Sequence, residues 1–242
     1  DAQLREKQAR VTRTLERLGA ADRVATIWPS PQQLGYRNRA QLKSDGRQLG
    51  YVSANTNSLV PIKDCLILTD HNRQILRQLL DSLPNPAFRP SKRERWTTID
   101  IDEELSAEQV QVDQRRPFRQ ANRGQNQHMR EWLAAKLAAA DNSLPALELF
   151  AGSGNFTEVI SAAGFAKVVA VEGVAEAVTA LDSLGLANVS AIKANLFDDQ
   201  AVDRLAKSHA EVGTLVLDPP RDGFKAIDRL LTHTRKLRQI LY

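Results

Sequence analysis

The chain has 242 residues, 42% of them hydrophobic and 26% charged, enough apolar material to bury one or two cores. Its net charge is only +4, and no run approaches the roughly 18 consecutive apolar residues of a membrane span, so no membrane partner is expected. A cytoplasmic, monomeric protein is the expectation, and the single cysteine, Cys65, excludes an internal disulfide.

Residues 1–50 carry ten Lys or Arg against five acids, an excess of five where the whole chain has four. Such a stretch suits a phosphate-facing surface, and equally a solvated helix face. Leu4, Val11, Leu15 and Leu18 recur at near-helical spacing, predicting an amphipathic helix over 3–18 that Gly19 stops. Residues 36–53 read as two strands joined by Asp45-Gly46, a hairpin. A second helix is predicted over 71–83, before Pro84, Pro86 and Pro90 break the chain. "RWTTIDIDEE" and "EQVQVDQR" predict strands, the second by its period-two alternation. There is no internal repeat or low-complexity tract.

From about residue 125 the pattern changes. A helix, "NQHMREWLAAKLAAA", precedes four apolar runs, "ALELF", "KVVAVEG", "VSAIKAN" and "TLVLDPP", separated by helix-length segments; "RQILY" reads as the start of a fifth strand. Regular β-α alternation with Val-, Leu- and Ile-rich strands predicts a parallel sheet covered on both faces. The expected organisation is a smaller α+β domain over 1–115 and an α/β, Rossmann-like domain over 116–242. The sequence opens on Asp1 and its one methionine is Met129, so a processed chain or a fragment is expected.

Ligands of open α/β sheets sit outside the carboxyl ends of the strands, so the residues there carry the chemistry. The first run ends in "LFAGSGNFT", where Gly152 and Gly154 permit a tight turn and a close backbone approach. The second ends at Glu172, suited to a ribose diol; the third ends at Asn195, suited to a base or its sugar; the fourth ends at Asp218. A glycine pair alone is weak, but its setting between strand and helix with an acid at the next strand end favours a nucleoside cofactor. The dinucleotide fingerprint wants a small third residue where Thr157 follows the bulky Phe156, so S-adenosylmethionine fits better than NAD.

"LELFAGSGNFT", "VEG", "KANLFD" and "LVLDPPRDG", with the upstream "FRQANRGQNQHM" and "LGYRNRAQLKSDGRQLGY", resemble the S-adenosylmethionine-dependent RNA uracil-5-methyltransferases, which act on rRNA or tRNA. The resemblance covers essentially the whole chain and implies a class I methyltransferase fold with its last strands truncated. It further implies that Gln120, Phe150, Asn155, Glu172, Asn195 and Asp218, with Gly152 and Gly154, contact the methyl donor. For Gln120 and Asn122 the alternative is that they cap or pin the following helix. The resemblance also implies a cysteine thiolate that attacks uracil C6 and a general base, both expected beyond Tyr242, so no catalytic residue is expected within the chain and the fragment is expected to be inactive. Cys65 matches the last ligand of an iron-sulfur cluster that some members carry, its other three cysteines preceding Asp1; otherwise it is a small buried hydrophobe. A 4Fe-4S cluster is thus an expectation for the full-length protein only.

Tyr36, Arg37 and Arg39 offer an aromatic face and two guanidinium groups for RNA, or plain surface charge. Arg221 is placed near the target base or its phosphate, or in a salt bridge steadying the Pro-Pro turn. Two other functions remain: a base amine N-methyltransferase, against which Arg221 stands where an aromatic is expected, and a non-catalytic S-adenosylmethionine-fold RNA-binding module.

Overall fold

The computed structural model describes residues 2–20, 22, 24–54, 56–114 and 119–242. They form two compact units, one built from Asp1–Trp96, Ile101–Val110 and Asn122–Gln125, the other from Thr97–Asp100, Gln111–Ala121 and Asn126–Tyr242. The expected division at 115/116 falls among residues 115–118, outside the described residues.

In the first unit α1 (Ala2–Arg17) forms as its spacing predicts, yet none of its side chains is buried, and Leu18 beyond it is 74% exposed. β1 (Arg39–Ser44) and β2 (Leu49–Val52) make the expected antiparallel hairpin, with Ser44 opposite Leu49. The Asp45 carboxylate accepts from the amides of Arg47 and Gln48 at 2.8 and 2.7 Å, which closes the turn. A further strand, β3 (Leu59–Pro61), pairs with β2; three residues ending in proline leave almost no periodic signal. α2 (Asp70–Asp81) is capped by Thr69 and buries Ile75, Leu76 and Leu79. β4 (Thr97–Asp102), of which Ile101 and Asp102 are counted with this unit, is the last strand of a sheet of order β3-β2-β1-β4.

"EQVQVDQR" is not a strand. Ala107–Gln109 is a 3-10 turn, Val112 makes a single bridge to Ile99, and Arg115 lies outside the described residues. Ser106 and Gln109 form a capping box in which Gln109 Oε1 accepts from the Ser106 amide at 2.9 Å, and this local turn chemistry overrides the alternation.

The second unit is the parallel α/β fold. α3 (Arg123–Leu137) leads into β5 (Ala146–Leu149), α4 (Thr157–Ala162), β6 (Val168–Glu172), α5 (Ala175–Asp182), β7 (Val189–Lys193), α6 (Asp199–Ser208), β8 (Thr214–Leu217), α7 (Ile227–His233) and β9 (Gln239–Leu241). The strands pair in parallel in the order β7-β6-β5-β8-β9. Successive residues face opposite sides. Leu147, Leu149, Val169, Val171, Leu215 and Leu217 pack with Val202, Leu205 and Leu230, while Ala146, Val168 and Val216 pack with Leu133, Leu137 and Ile160. Strand order reverses between β5 and β8, which opens a crevice at their carboxyl ends, the place where such sheets hold ligands.

Candidate functional site

At the end of β5 the backbone turns sharply. Phe150 has φ +61°, Gly152 +57° and Gly154 +99°, a left-handed run that ordinary side chains resist. A Cβ at Gly154 would stand 2.4 Å from Leu184 Cδ1 and 2.8 Å from Leu181 Cδ1, whereas one at Gly152 would meet nothing within 4 Å. Gly154 is therefore required by packing; Gly152 is required by its conformation and leaves open space above the loop.

Glu172, at the end of β6, holds this loop. Its Oε2 accepts from the Gly152 amide at 2.9 Å, and its Oε1 accepts from the amides of Gly173 and Val174 at 2.7 and 2.9 Å. The two amides fill Oε1, and Oε2 keeps acceptor capacity for a ligand hydroxyl. From the other side, Asn155 and Asn126 of α3 form a reciprocal amide pair at 2.9 and 2.8 Å. Arg130 donates to the Asn155 carbonyl oxygen and pairs with Glu158 at 3.0 Å. Asn155 thus serves mainly to fasten the loop to α3.

A carboxyl that the sequence reading passed over lies beneath. Glu148, in the middle of β5, is 2% exposed and accepts from the Thr157 hydroxyl at 2.5 Å. Burial pushes its pKa up to about 8; the Thr157 bond opposes the rise, and the charges of Asp218 and Glu172 add to it. Asp218 follows β8, open to solvent on one side, and desolvation on the other raises its pKa. Glu148 thus feels the two strand-end carboxyls, Asp218 and Glu172, and those two make a site suited to a cationic ligand.

Asn195, beyond β7, is exposed and accepts from the Phe197 amide at 3.0 Å. That turn presents Phe197, 59% exposed, with its ring centroid 5.9 Å from that of Phe150; Phe224 meets Phe150 edge-on at 5.6 Å. Gln120 is half-buried in the segment leading to α3. Asn122 caps α3, accepting from the Gln125 amide at 3.0 Å, so the capping alternative holds for it. The structure brings Phe150, Gly152, Gly154, Asn155 and Glu172 into one bonded loop and sets Asn195 and Asp218 at neighbouring strand ends. Glu148, Asn126, Arg130 and Phe197 are additions. The signals for them were an acid inside an apolar strand and an exposed aromatic after "KANL".

Arg221 is exposed at a turn closed by the Gly223 amide on the Pro220 carbonyl at 2.8 Å, and among the described residues no ion pair engages it. Tyr36, Arg37, Arg39 and Cys65 belong to the first unit. Arg37 Nε donates to the Arg39 carbonyl at 2.9 Å, and its backbone bonds Ile67 and Thr69, a structural use of that residue. Cys65 is a free thiol 3.7 Å from the Tyr51 hydroxyl. Among the described residues no cluster of metal-ligating side chains exists, so the chain's own residues do not fit a four-thiolate iron-sulfur cluster.

A family model described as tRNA (Uracil-5-)-methyltransferase matches residues 68–242. An uncharacterized RNA methyltransferase of Nitrosomonas europaea is 40% identical over 245 residues, covering 100% of this chain and 62% of that protein. A 23S rRNA (uracil(1939)-C(5))-methyltransferase of Halomonas elongata is 40% identical over 121 residues, covering 47% of this chain and 25% of its own. The chain therefore spans less than two thirds of the length of these relatives. The Pyrococcus abyssi tRNA (uracil-54, C5)-methyltransferase, solved with S-adenosyl-L-homocysteine, matches with a TM-score of 0.64 at 16% identity, covering 96% of this chain and 71% of that one. This last likeness shows the class I methyltransferase fold.

Proposed function

The chain belongs to the tRNA (uracil-5-)-methyltransferase family, and from that premise we propose that it is the donor-binding part of an enzyme that methylates uridine C5 in RNA with S-adenosylmethionine. The observation that carries the reading is the glycine loop pinned by the Glu172 carboxylate, with the Asp218 carboxyl at another strand end, an arrangement that fits a nucleoside bearing positive charge. The donor supplies a methyl group activated by a sulfonium sulfur.

The chain's residues divide the work of holding it. Glu172 keeps an acceptor site on Oε2 for a ribose hydroxyl while its bonds to three amides fix the loop. Phe150 and Phe197 offer apolar walls, and Asn195 sets the turn that presents Phe197. Asp218 supplies the negative potential that a sulfonium prefers, while Glu148, its pKa pushed up to about 8, keeps a proton within β5 at neutral pH.

Uracil C5 is a poor nucleophile. A thiolate adding to C6 makes C5 enolate-like and able to accept a methyl group; a general base then removes the C5 proton, and the thiolate leaves. We assign that thiolate and base to residues of the full-length enzyme beyond Tyr242, and neither role to Cys65, whose thiol lies 3.7 Å from the Tyr51 hydroxyl. On this assignment the 242-residue chain binds donor but transfers no methyl group. We favour ribosomal RNA as the substrate, because a relative that acts on 23S rRNA is 40% identical over 47% of the chain.

Calorimetry on the folded chain tests the donor assignment: binding of S-adenosylmethionine is expected, and a folded sample that takes none refutes it. Methyl transfer from labelled donor, assayed with the full-length enzyme on 23S rRNA and on tRNA, tests the reaction. Label in an exocyclic amine rather than at C5 would overturn it.

A further inference from the structure

We propose that the segment Arg89–Arg95, together with Arg47 on the β1–β2 turn, is a landing surface for the sugar-phosphate backbone of RNA, an inference that rests on the reading of the protein as an RNA methyltransferase. The sequence "RPSKRER" holds four cations and one acid in seven residues, a local excess of three in a chain whose whole excess is four.

The segment is built to display them. It is anchored at its start by Phe88, 7% exposed, and by the Asn85 amide bonded to the Gly46 carbonyl at 2.9 Å. The Arg89 stem lies against the hairpin turn, so close that a Cβ on Gly46 would stand 2.4 Å from Arg89 Cγ. Arg47 and Arg89 therefore sit on touching turns. The Glu94 amide closes a second turn on the Ser91 carbonyl at 3.1 Å, which sets Lys92 and Arg93 at its two corners, both exposed. The Arg95 guanidinium then lies 5.2 Å from the centroid of the Trp96 ring.

These charges are uncommitted. Among the described residues no ion pair or hydrogen bond engages the heads of Arg89, Lys92 or Arg93, whereas Arg73, Arg229 and Arg238 are each paired with an aspartate. On these two turns the acids are Asp45, whose Oδ1 accepts from two turn amides, and Glu94. Of the arginines that sequence pattern marks for RNA, Arg37 is folded into backbone bonds.

Cations crowded on tight turns beside an arginine-aromatic stack suit a nucleic-acid backbone, which is held by phosphate contacts with stacking in support. An anionic bilayer would instead be met by an amphipathic helix with an apolar face to insert. No such face accompanies this segment: its one large apolar anchor, Phe88, is buried.

The test uses the intact chain, a fluorescein-labelled RNA stem-loop of about 30 nucleotides with uridines in its loop, and the triple variant Lys92→Gln, Arg93→Gln, Arg95→Gln. The variant is expected to weaken RNA binding about tenfold or more and to lower the slope of log affinity against log salt by about 2, near 0.7 for each of three charges. Its S-adenosylmethionine affinity and melting temperature should match those of the parent, and the charge-preserving pair K92R, R93K should bind RNA as the parent does. Equal affinity and slope in the triple variant would overturn the inference while leaving the methyltransferase reading intact. A parent chain that binds donor but no RNA would strike the RNA reading, and the inference with it. Loss of binding to phosphatidylserine vesicles with RNA affinity unchanged would assign the segment to a membrane and overturn the proposal.

Discussion

In the parallel-sheet unit, Glu172 is bonded to three backbone amides and Glu148 is sealed within β5, while in the smaller unit the cations of residues 89–95 ride exposed on two turns. The first arrangement fixes a few groups in place before any ligand arrives, so each should matter greatly to binding and little to salt. The second works by number. Each exposed charge contributes modestly, its field is screened, and the sum is what a polyanion meets.

The sharpest way to break this contrast is Glu172→Ala. Removing the acceptor of three amide bonds should lower S-adenosylmethionine affinity about 100-fold, near 3 kcal/mol, measured by calorimetry at two salt concentrations. A loss below about threefold, or one that vanishes in high salt, would put the donor loop in the same class as the cationic turns. Gly154→Ala should follow, costing about 2 kcal/mol in urea unfolding, because its Cβ meets two leucine methyl groups at a backbone angle that side chains resist.

A pH experiment sharpens the burial side. The Glu148 carboxyl titrates at 4.5 without the fold's influence and at about 8 within it, so between these values the folded chain binds more protons than the unfolded one. Stability should therefore fall as pH rises through that window, by at most about 1.4 kcal/mol per pH unit, and Glu148→Gln should flatten the decline. Thermal melts of the two proteins across the range would decide it, and parallel curves would refute the assignment. The smallest expected effect lies in the small unit: Leu18→Ser, just past the fully unburied α1, should change stability by no more than about 0.5 kcal/mol.

Much of the larger unit was legible because its signal is local. Runs such as "VVAVE" and "TLVL" are short, apolar and buried on both faces, and in a parallel sheet their carboxyl ends must lie on one edge, so Glu172, Asn195 and Asp218 fell into place together. What escaped depends on partners distant in sequence. Glu148 reads as an irregularity in a strand until Thr157 is seen beneath it, and the Asn126–Asn155 pair joins positions 29 apart. In the smaller unit the alternation of "EQVQVDQR" gave way to a capping box, and basic residues alone could not say whether Arg37 or Arg93 faces solvent. Backbone bonding made that distinction.

Phe150 holds a left-handed backbone that a glycine would adopt without strain, yet its ring is what meets Phe197 and Phe224. Glycine at this position would relax the turn and remove the wall. If Phe150 walls the donor as proposed, an effort to make the fold more robust at this residue would be expected to erode affinity first.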